Sequence, residues 1–178
     1  MIRTLRRRTR FLRYNLPIHC INLVTMILPN CTPTVLIRGF LMRPFFKKCG
    51  KGLKIANGVT INNPDRIEIG DNVQIAQNNW ISGVGGLKIG DNVLMGPLGV
   101  IVTSQHSFKN GKLTSGYTPG SVQIGAGCWL ASHVVITEGV EIGADSLVGA
   151  GAVVTKSFPD RSKIVGVPGK NIGSPGND

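Results

Sequence analysis

The chain has 178 residues with 24 glycines, close to twice the ordinary share of about 7%, while aromatic residues reach only 6%. A hydrophobic fraction of 42% excludes a disordered or solvating polymer, and no uncharged, proline-free apolar run approaches the ~20 residues of a simple membrane-spanning helix. The net charge of +11 is unevenly placed: twelve cations precede the first acid, Asp65, and the remaining eight basic and nine acidic residues leave the rest at −1.

Residues 1–54 hold that basic excess, in Arg3, Arg6, Arg7, Arg8, Arg10, Arg13, Arg38, Arg43, Lys47, Lys48, Lys51 and Lys54. Pro17, Pro29, Pro33 and Pro44 break the segment into one or two short predicted helices that cap whatever follows. The stretch from Tyr14 to Ile37 carries no charge. An Arg-rich flank beside apolar surface suits peripheral contact with an anionic membrane, and it equally suits a solvated cap. Nucleic-acid binding is not expected, because no DNA- or RNA-binding module accompanies the basic arm. Cys20, Cys31, Cys49 and Cys128 have no paired spacing and read as reduced thiols of a cytoplasmic protein, not as a zinc or disulfide framework.

Residues 55–170 are built from repeats. Ile67-Glu-Ile-Gly-Asp-Asn-Val73, Leu87-Lys-Ile-Gly-Asp-Asn-Val93, Val122-Gln-Ile-Gly-Ala-Gly-Cys128 and Val140-Glu-Ile-Gly-Ala-Asp-Ser146 are four copies of one phrase, spaced by 20, 35 and 18 residues. Within a turn the period is six: Ile124, Leu130, Ile136, Ile142, Val148 and Val154 are aliphatic, and each precedes a small or short residue. A helix repeats at 3.6 and a strand at 2, so neither accounts for the pattern. Three six-residue units per turn predict a triangular parallel β-solenoid with an aliphatic interior, its turns stacked ~4.8 Å apart. The interval of 35 exceeds a turn by 17 residues, which predicts an inserted loop within 103–121. Phe158 to Lys170 closes the far end, and 171–178 reads as a frayed tail.

The phrase Cys128-Trp-Leu-Ala-Ser-His-Val-Val-Ile-Thr-Glu-Gly-Val-Glu-Ile-Gly143, with Val148-Gly-Ala-Gly-Ala-Val-Val-Thr-Lys156 and Val165-Gly-Val-Pro-Gly-Lys170, resembles the hexapeptide-repeat acyltransferases. The likeness covers about 55–170 and is nearest to the galactoside and maltose O-acetyltransferase branch and its polysaccharide-locus members. The resemblance implies a left-handed β-helix, a homotrimer and acetyl-CoA as donor.

Transfer of acetyl to a hydroxyl needs a base, and an imidazole is matched to that proton at neutral pH. His19 lies in the irregular segment, His133 in mid-hexapeptide, and His106 opens the inserted loop; on the residues alone a loop histidine is either a base or a surface residue. The resemblance selects His106, because the family's catalytic histidine occupies this place. It also implies donor contacts at Trp129, Ser132, Ala150, Thr155, Lys156 and Lys170, with a backbone N–H near Ser132 facing the developing oxyanion. Trp129 otherwise reads as an outward ring at a subunit contact, and the lysines as solvated. Gln77, Asn78 and Asn79 fall where the family contacts its acceptor, although Asn ladders at solenoid corners explain them as well. Tyr117, in the inserted loop, is expected to shape the acceptor pocket.

The resulting expectation is an acetyl-CoA-dependent O-acetyltransferase of a sugar hydroxyl in bacterial surface polysaccharide synthesis, with no metal. Three alternatives remain. An N-acetyltransferase of an amino-sugar nucleotide often carries an N-terminal βαβ unit, for which 1–54 is too short and too basic. A solenoid enzyme of carbonic anhydrase type needs three histidines around zinc, and the coil offers His106 and His133 only. A non-catalytic solenoid would show no acetyl-CoA turnover.

Overall fold

A computed structural model describes residues 9–176; Arg3, Arg6, Arg7 and Arg8 and the end of the expected tail lie outside the described residues. A π-helical turn, Phe11–Asn15, leads into helix α1 (Leu16–Thr25), and a short connection joins it to helix α2 (Thr32–Met42). Beyond them the chain winds as a three-faced coil. The first face stacks Lys48–Cys49, Ile67–Ile69, Leu87–Ile89, Val122–Ile124 and Glu141–Ile142. The second stacks Lys54–Ile55, Gln74–Ile75, Leu94–Met95, Trp129–Leu130, Leu147–Val148 and Lys163–Val165 in parallel, with Lys170–Asn171 added antiparallel. The third stacks Thr60–Asn62, Trp80–Ser82, Val100–Ile101, Val135–Ile136 and Val153–Val154.

Each letter of the repeated phrase has a physical task at the corner between the first and second faces. The isoleucine points inward: Ile69, Ile89, Ile124 and Ile142 are at most 3% exposed. The glycine follows because the next turn lies against it; a Cβ on Gly90 would come within 2.5 Å of the Ala126 backbone nitrogen. The aspartate then accepts from the turn below, as Asp91 Oδ1 does from the Asp71 N–H at 2.7 Å and Asp71 Oδ1 from the Lys51 N–H at 2.6 Å. The next residue adopts the left-handed conformation that Asn, Asp and Gly tolerate best, with φ of 56° at Asn72 and Asn92 and 54° at Asp145. Val73, Val93 and Cys128 turn the chain inward again and are buried. Burial also raises the pKa of the Cys128 thiol. The expected aliphatic rungs are present: Ile55, Ile75, Met95, Leu130, Val148 and Ile164 fill one side of the interior, and Ile61, Ile81, Ile101, Ile136 and Val154 another.

The outward residues differ by face. On the first, Lys48, Glu68, Lys88, Gln123 and Glu141 follow one another on successive rungs, so that cations and carboxylates alternate over the first three. Lys47 donates to Glu68 at 2.7 Å and holds that carboxyl below its ordinary range. On the second face Leu94, Trp129 and Leu147 are adjacent, and on the third Trp80, Val100, Val135 and Val153. Two faces therefore present apolar side chains to the outside.

Three expectations need correction. The coil's first strand, Lys48–Cys49, already lies inside the segment expected to precede it. Residues 171–173 are not frayed: Ile172 N–H donates to Lys163 O at 2.8 Å, and Lys163 N–H to Gly173 O at 2.8 Å. The inserted loop is an antiparallel hairpin, Ser104–Lys109 against Lys112–Pro119, with regular strands on both sides of its turn. Asn110 and Gly111, with φ of 52° and 72°, make its turn, which is the conformation an Asn-Gly pair favours.

Asn79 is also corrected. It is 1% exposed, and its Nδ2 donates to Ala76 O at 2.8 Å and Gly96 O at 2.9 Å, so it bridges two turns inside the corner and cannot meet an acceptor. Asn79→Ala should cost about 1–3 kcal/mol in urea unfolding, because both carbonyls lose a buried donor.

Candidate active site

The hairpin is held at its root. Thr103, fully buried, donates from Oγ1 to Ser82 O at 2.9 Å and accepts from the Gly85 N–H at 2.9 Å, while Gly120 N–H closes the base on Thr103 O at 3.0 Å. His106 comes three residues later, directly opposite Tyr117 across the hairpin, and a register shift follows between His106 and Phe108. Further up, Thr114 Oγ1 donates to Ser107 O at 2.9 Å.

His106 and Tyr117 form one wall of a cavity of about 460 Å³. It is also lined by Trp80 of the third face, by Val102 just after that face's Val100–Ile101 strand, by Ser104 at the start of the hairpin, and by Asn63, Arg66 and Val84. A further wall is Phe11 and Asn15 of the π-helical turn, with Arg10 immediately before it. That wall is fastened by an ion pair, Arg10 Nη2 to Asp65 Oδ2 at 2.8 Å, and Arg66 is fixed by donation to Val84 O at 2.5 Å. Asn15 Oδ1 is buried there without a hydrogen-bond partner. The cavity thus brings an imidazole, a phenol and an indole together, with two amides and two guanidinium groups around them. Aromatic faces flanked by amides suit a polyhydroxylated ring, whose C–H surfaces stack and whose hydroxyls pair.

Sequence reasoning placed His106 and Tyr117 together but missed Trp80, Arg66, Arg10 and Asn15. Trp80 carried a usable signal, being a large ring one place before an inward isoleucine, as Trp129 is before Leu130. The π-helical turn carried none, since its link to Asp65 spans 55 residues without periodicity.

The other expected site residues lie elsewhere. Gln77, Ser132 and Ala150 share one column of the corner between the second and third faces, where Leu98 N–H donates to Gln77 O and Gly151 N–H to Ser132 O, both at 2.9 Å. Asn78 is in the adjacent column, with φ of 56°, beside Leu98, His133 and Gly151, all of positive φ. Gln77 lines a separate hollow with Asn30, Cys31 and Lys54, away from the His106 cavity. Thr155 and Lys156 are exposed at the opposite corner of the third face, with the Lys156 ammonium 5.7 Å from the Phe158 ring. Trp129, half exposed, stands on the second face, and Lys170 is exposed in the terminal antiparallel strand. None of these lines the His106 cavity. His19 is exposed on α1, and His133 is at its corner. Within the described residues no three His, Cys, Asp or Glu side chains are grouped to hold a metal ion.

The profile of the family "Bacterial transferase hexapeptide (six repeats)" matches residues 121–156. A protein of Escherichia coli K12 that carries the name colanic acid biosynthesis acetyltransferase WcaF is 33% identical over 130 residues, which span 72% of this chain and 70% of that protein. The chain belongs to the hexapeptide-repeat acetyltransferases. Galactoside O-acetyltransferase of the same organism is 34% identical over 136 residues, 74% of this chain and 65% of that protein. Among solved hexapeptide-repeat acetyltransferases, one from Vibrio cholerae, complexed with acetyl-CoA, superposes with a TM-score of 0.78 at 26% identity, covering 90% of this chain and 86% of that one. The coil is accordingly the left-handed parallel β-helix of this acetyltransferase family, the fold class expected from the sequence.

Proposed function

We propose that the protein transfers the acetyl group of acetyl-CoA to a sugar hydroxyl during assembly of a bacterial surface polysaccharide. The observation that carries this reading is His106 in a cavity with Trp80 and Tyr117, on a coil whose relatives bind acetyl-CoA. His106 takes the proton of the acceptor hydroxyl as its oxygen attacks the thioester carbonyl; the C–S bond then breaks, and the thiolate recovers a proton from the imidazolium. Such a base contributes roughly 10² to 10⁴ in rate, and approximation of two bound substrates contributes much of the remainder.

Trp129, Ser132, Ala150, Thr155, Lys156 and Lys170 are the proposed donor contacts, the lysines facing the phosphates and the two corner residues the pantetheine arm. They run from Trp129 and Lys170 on the second face, past Ser132 and Ala150 at the corner, to Thr155 and Lys156 at the far corner of the third face, and none of them lines the His106 cavity, while Leu94, Trp129 and Leu147 on the second face and Trp80, Val100, Val135 and Val153 on the third point apolar side chains outward. Both features support a homotrimer in which a neighbouring chain closes the donor groove. The exposed pair Phe108 and Leu113 at the hairpin tip supplies further apolar contact area. Gln77 and Asn78 reach an acceptor only across such an interface. Residues 9–54, acid-free and with exposed apolar side chains beside exposed cations, support work at the cytoplasmic side of an anionic membrane.

Incubation with acetyl-CoA and candidate glycans, followed by mass spectrometry, tests the reading. One added acetyl that alkali removes is the expected result. An alkali-stable addition would shift the acceptor to an amine, and absence of any transfer would overturn the proposal. Sedimentation equilibrium should give three chains per particle.

A further inference from the structure

Helices α1 and α2 bury one side each and leave the other uncovered. Ile18 and Met42 pack into the core at no more than 2% exposure. Leu23, Val24, Met26 and Ile27, at the end of α1 and just beyond it, are 61–86% exposed, and Phe40 of α2 is 73% exposed. This surface is held rigid from beneath. Arg38, fully buried, donates to Thr25 O and Leu28 O at 2.8 Å and to Asn30 Oδ1 at 2.9 Å, so its guanidinium fixes the turn between the helices. An apolar patch of this extent marks an interaction surface.

Charge identifies the partner. Exposed Arg13 follows exposed Phe11 and Leu12 just before α1, and exposed Arg43 shares a hollow with Leu36 and Phe40 at the end of α2, so exposed apolar side chains of this segment have cations beside them. No acid precedes Asp65 in the sequence. A second copy seated through the same surface would bring two acid-free, cation-rich segments together, whereas an anionic bilayer supplies both an acyl boundary and counter-charge. No helix of the described residues is long and apolar enough to cross a membrane.

We propose that the outer faces of α1 and α2 form a seat for an anionic lipid surface, with Val24, Ile27 and Phe40 entering the interface and Arg13 and Arg43 meeting the headgroups. Together with the sugar acetylation proposed above, on which this second step rests, the seat defines the acceptor. Arg10, Phe11 and Asn15, just before α1, are a wall of the His106 cavity, so the cavity opens beside the bilayer and takes a glycan carried on a lipid.

Full-length protein is sedimented with vesicles of phosphatidylglycerol and phosphatidylethanolamine, and with phosphatidylcholine vesicles. At least about tenfold tighter binding to the anionic vesicles, weakening with salt, is expected. The double substitution Val24→Asp with Ile27→Asp should abolish pelleting, and Arg13→Gln or Arg43→Gln should weaken it about fivefold each. Circular dichroism and acetyl-CoA binding, both properties of the coil, show that these variants are folded. Equal binding to both vesicle types, or wild-type pelleting of the double variant, would overturn the seat. So would loss of oligomer in the double variant, since the patch would then be a contact between copies. Vesicle binding without acetylation of any sugar would sustain the seat and count against the acceptor class instead.

Discussion

His106→Ala should lower kcat by at least about a hundredfold while the affinity for acetyl-CoA stays unchanged, as read by steady-state kinetics and by calorimetric titration of the donor. The separation follows from placement. The imidazole lines a cavity with Trp80 and Tyr117, and none of the proposed donor contacts lines it. Removing the ring takes away the proton acceptor without disturbing the coil, because the hairpin is held at Thr103 and Gly120 rather than by His106 itself. Trp129→Ala, on a different face, should give the converse pattern, a raised KM for acetyl-CoA with kcat less affected. Equal turnover of the His106→Ala variant would remove the basis of the proposed mechanism.

Ile101→Ala is expected to destabilise the protein by about 2–5 kcal/mol, seen as a lowered urea midpoint at unchanged slope. Ile101 is 1% exposed and sits between Ile81 and Ile136 in the interior stack, so no neighbour can move in without breaking the register of its own rung. It also ends the strand from which the hairpin departs, so the lost atoms leave a void close to the root of the hairpin. Glu141→Ala, on the solvent side of the first face, should cost less than about 0.5 kcal/mol in the same assay. A loss below about 1 kcal/mol at Ile101 would contradict a close-packed interior.

The coil was legible because its interior is one-dimensional: each inward residue meets the same kind of neighbour one turn above and below, so the packing rule is written along the chain with a fixed period. The corner phrase was legible for a related reason, since glycine, aspartate and asparagine answer local backbone requirements at Gly90, Asp91 and Asn92. Inference from residue type alone failed one corner further on. Gln77, Asn78 and Asn79 are three polar neighbours in sequence, yet they occupy an outer column, a left-handed corner and the interior, and only the count from Ile75 separates them. The hairpin had an unused marker in Asn110-Gly111. The Arg10 wall of the His106 cavity had none, because Arg10 meets Asp65 through tertiary folding and not through any repeat.

Anchorage of the hairpin at Thr103 and Gly120, with its turn at Asn110 and Gly111 well beyond His106, separates two kinds of change. The distal residues can lengthen, shorten or be exchanged without shifting the imidazole, which takes its position from the rung beneath. The tip can therefore drift among descendants of such a protein while the cavity walls at His106 and Tyr117 are inherited intact, and the turn between Lys109 and Lys112 becomes a practical place to graft a foreign segment.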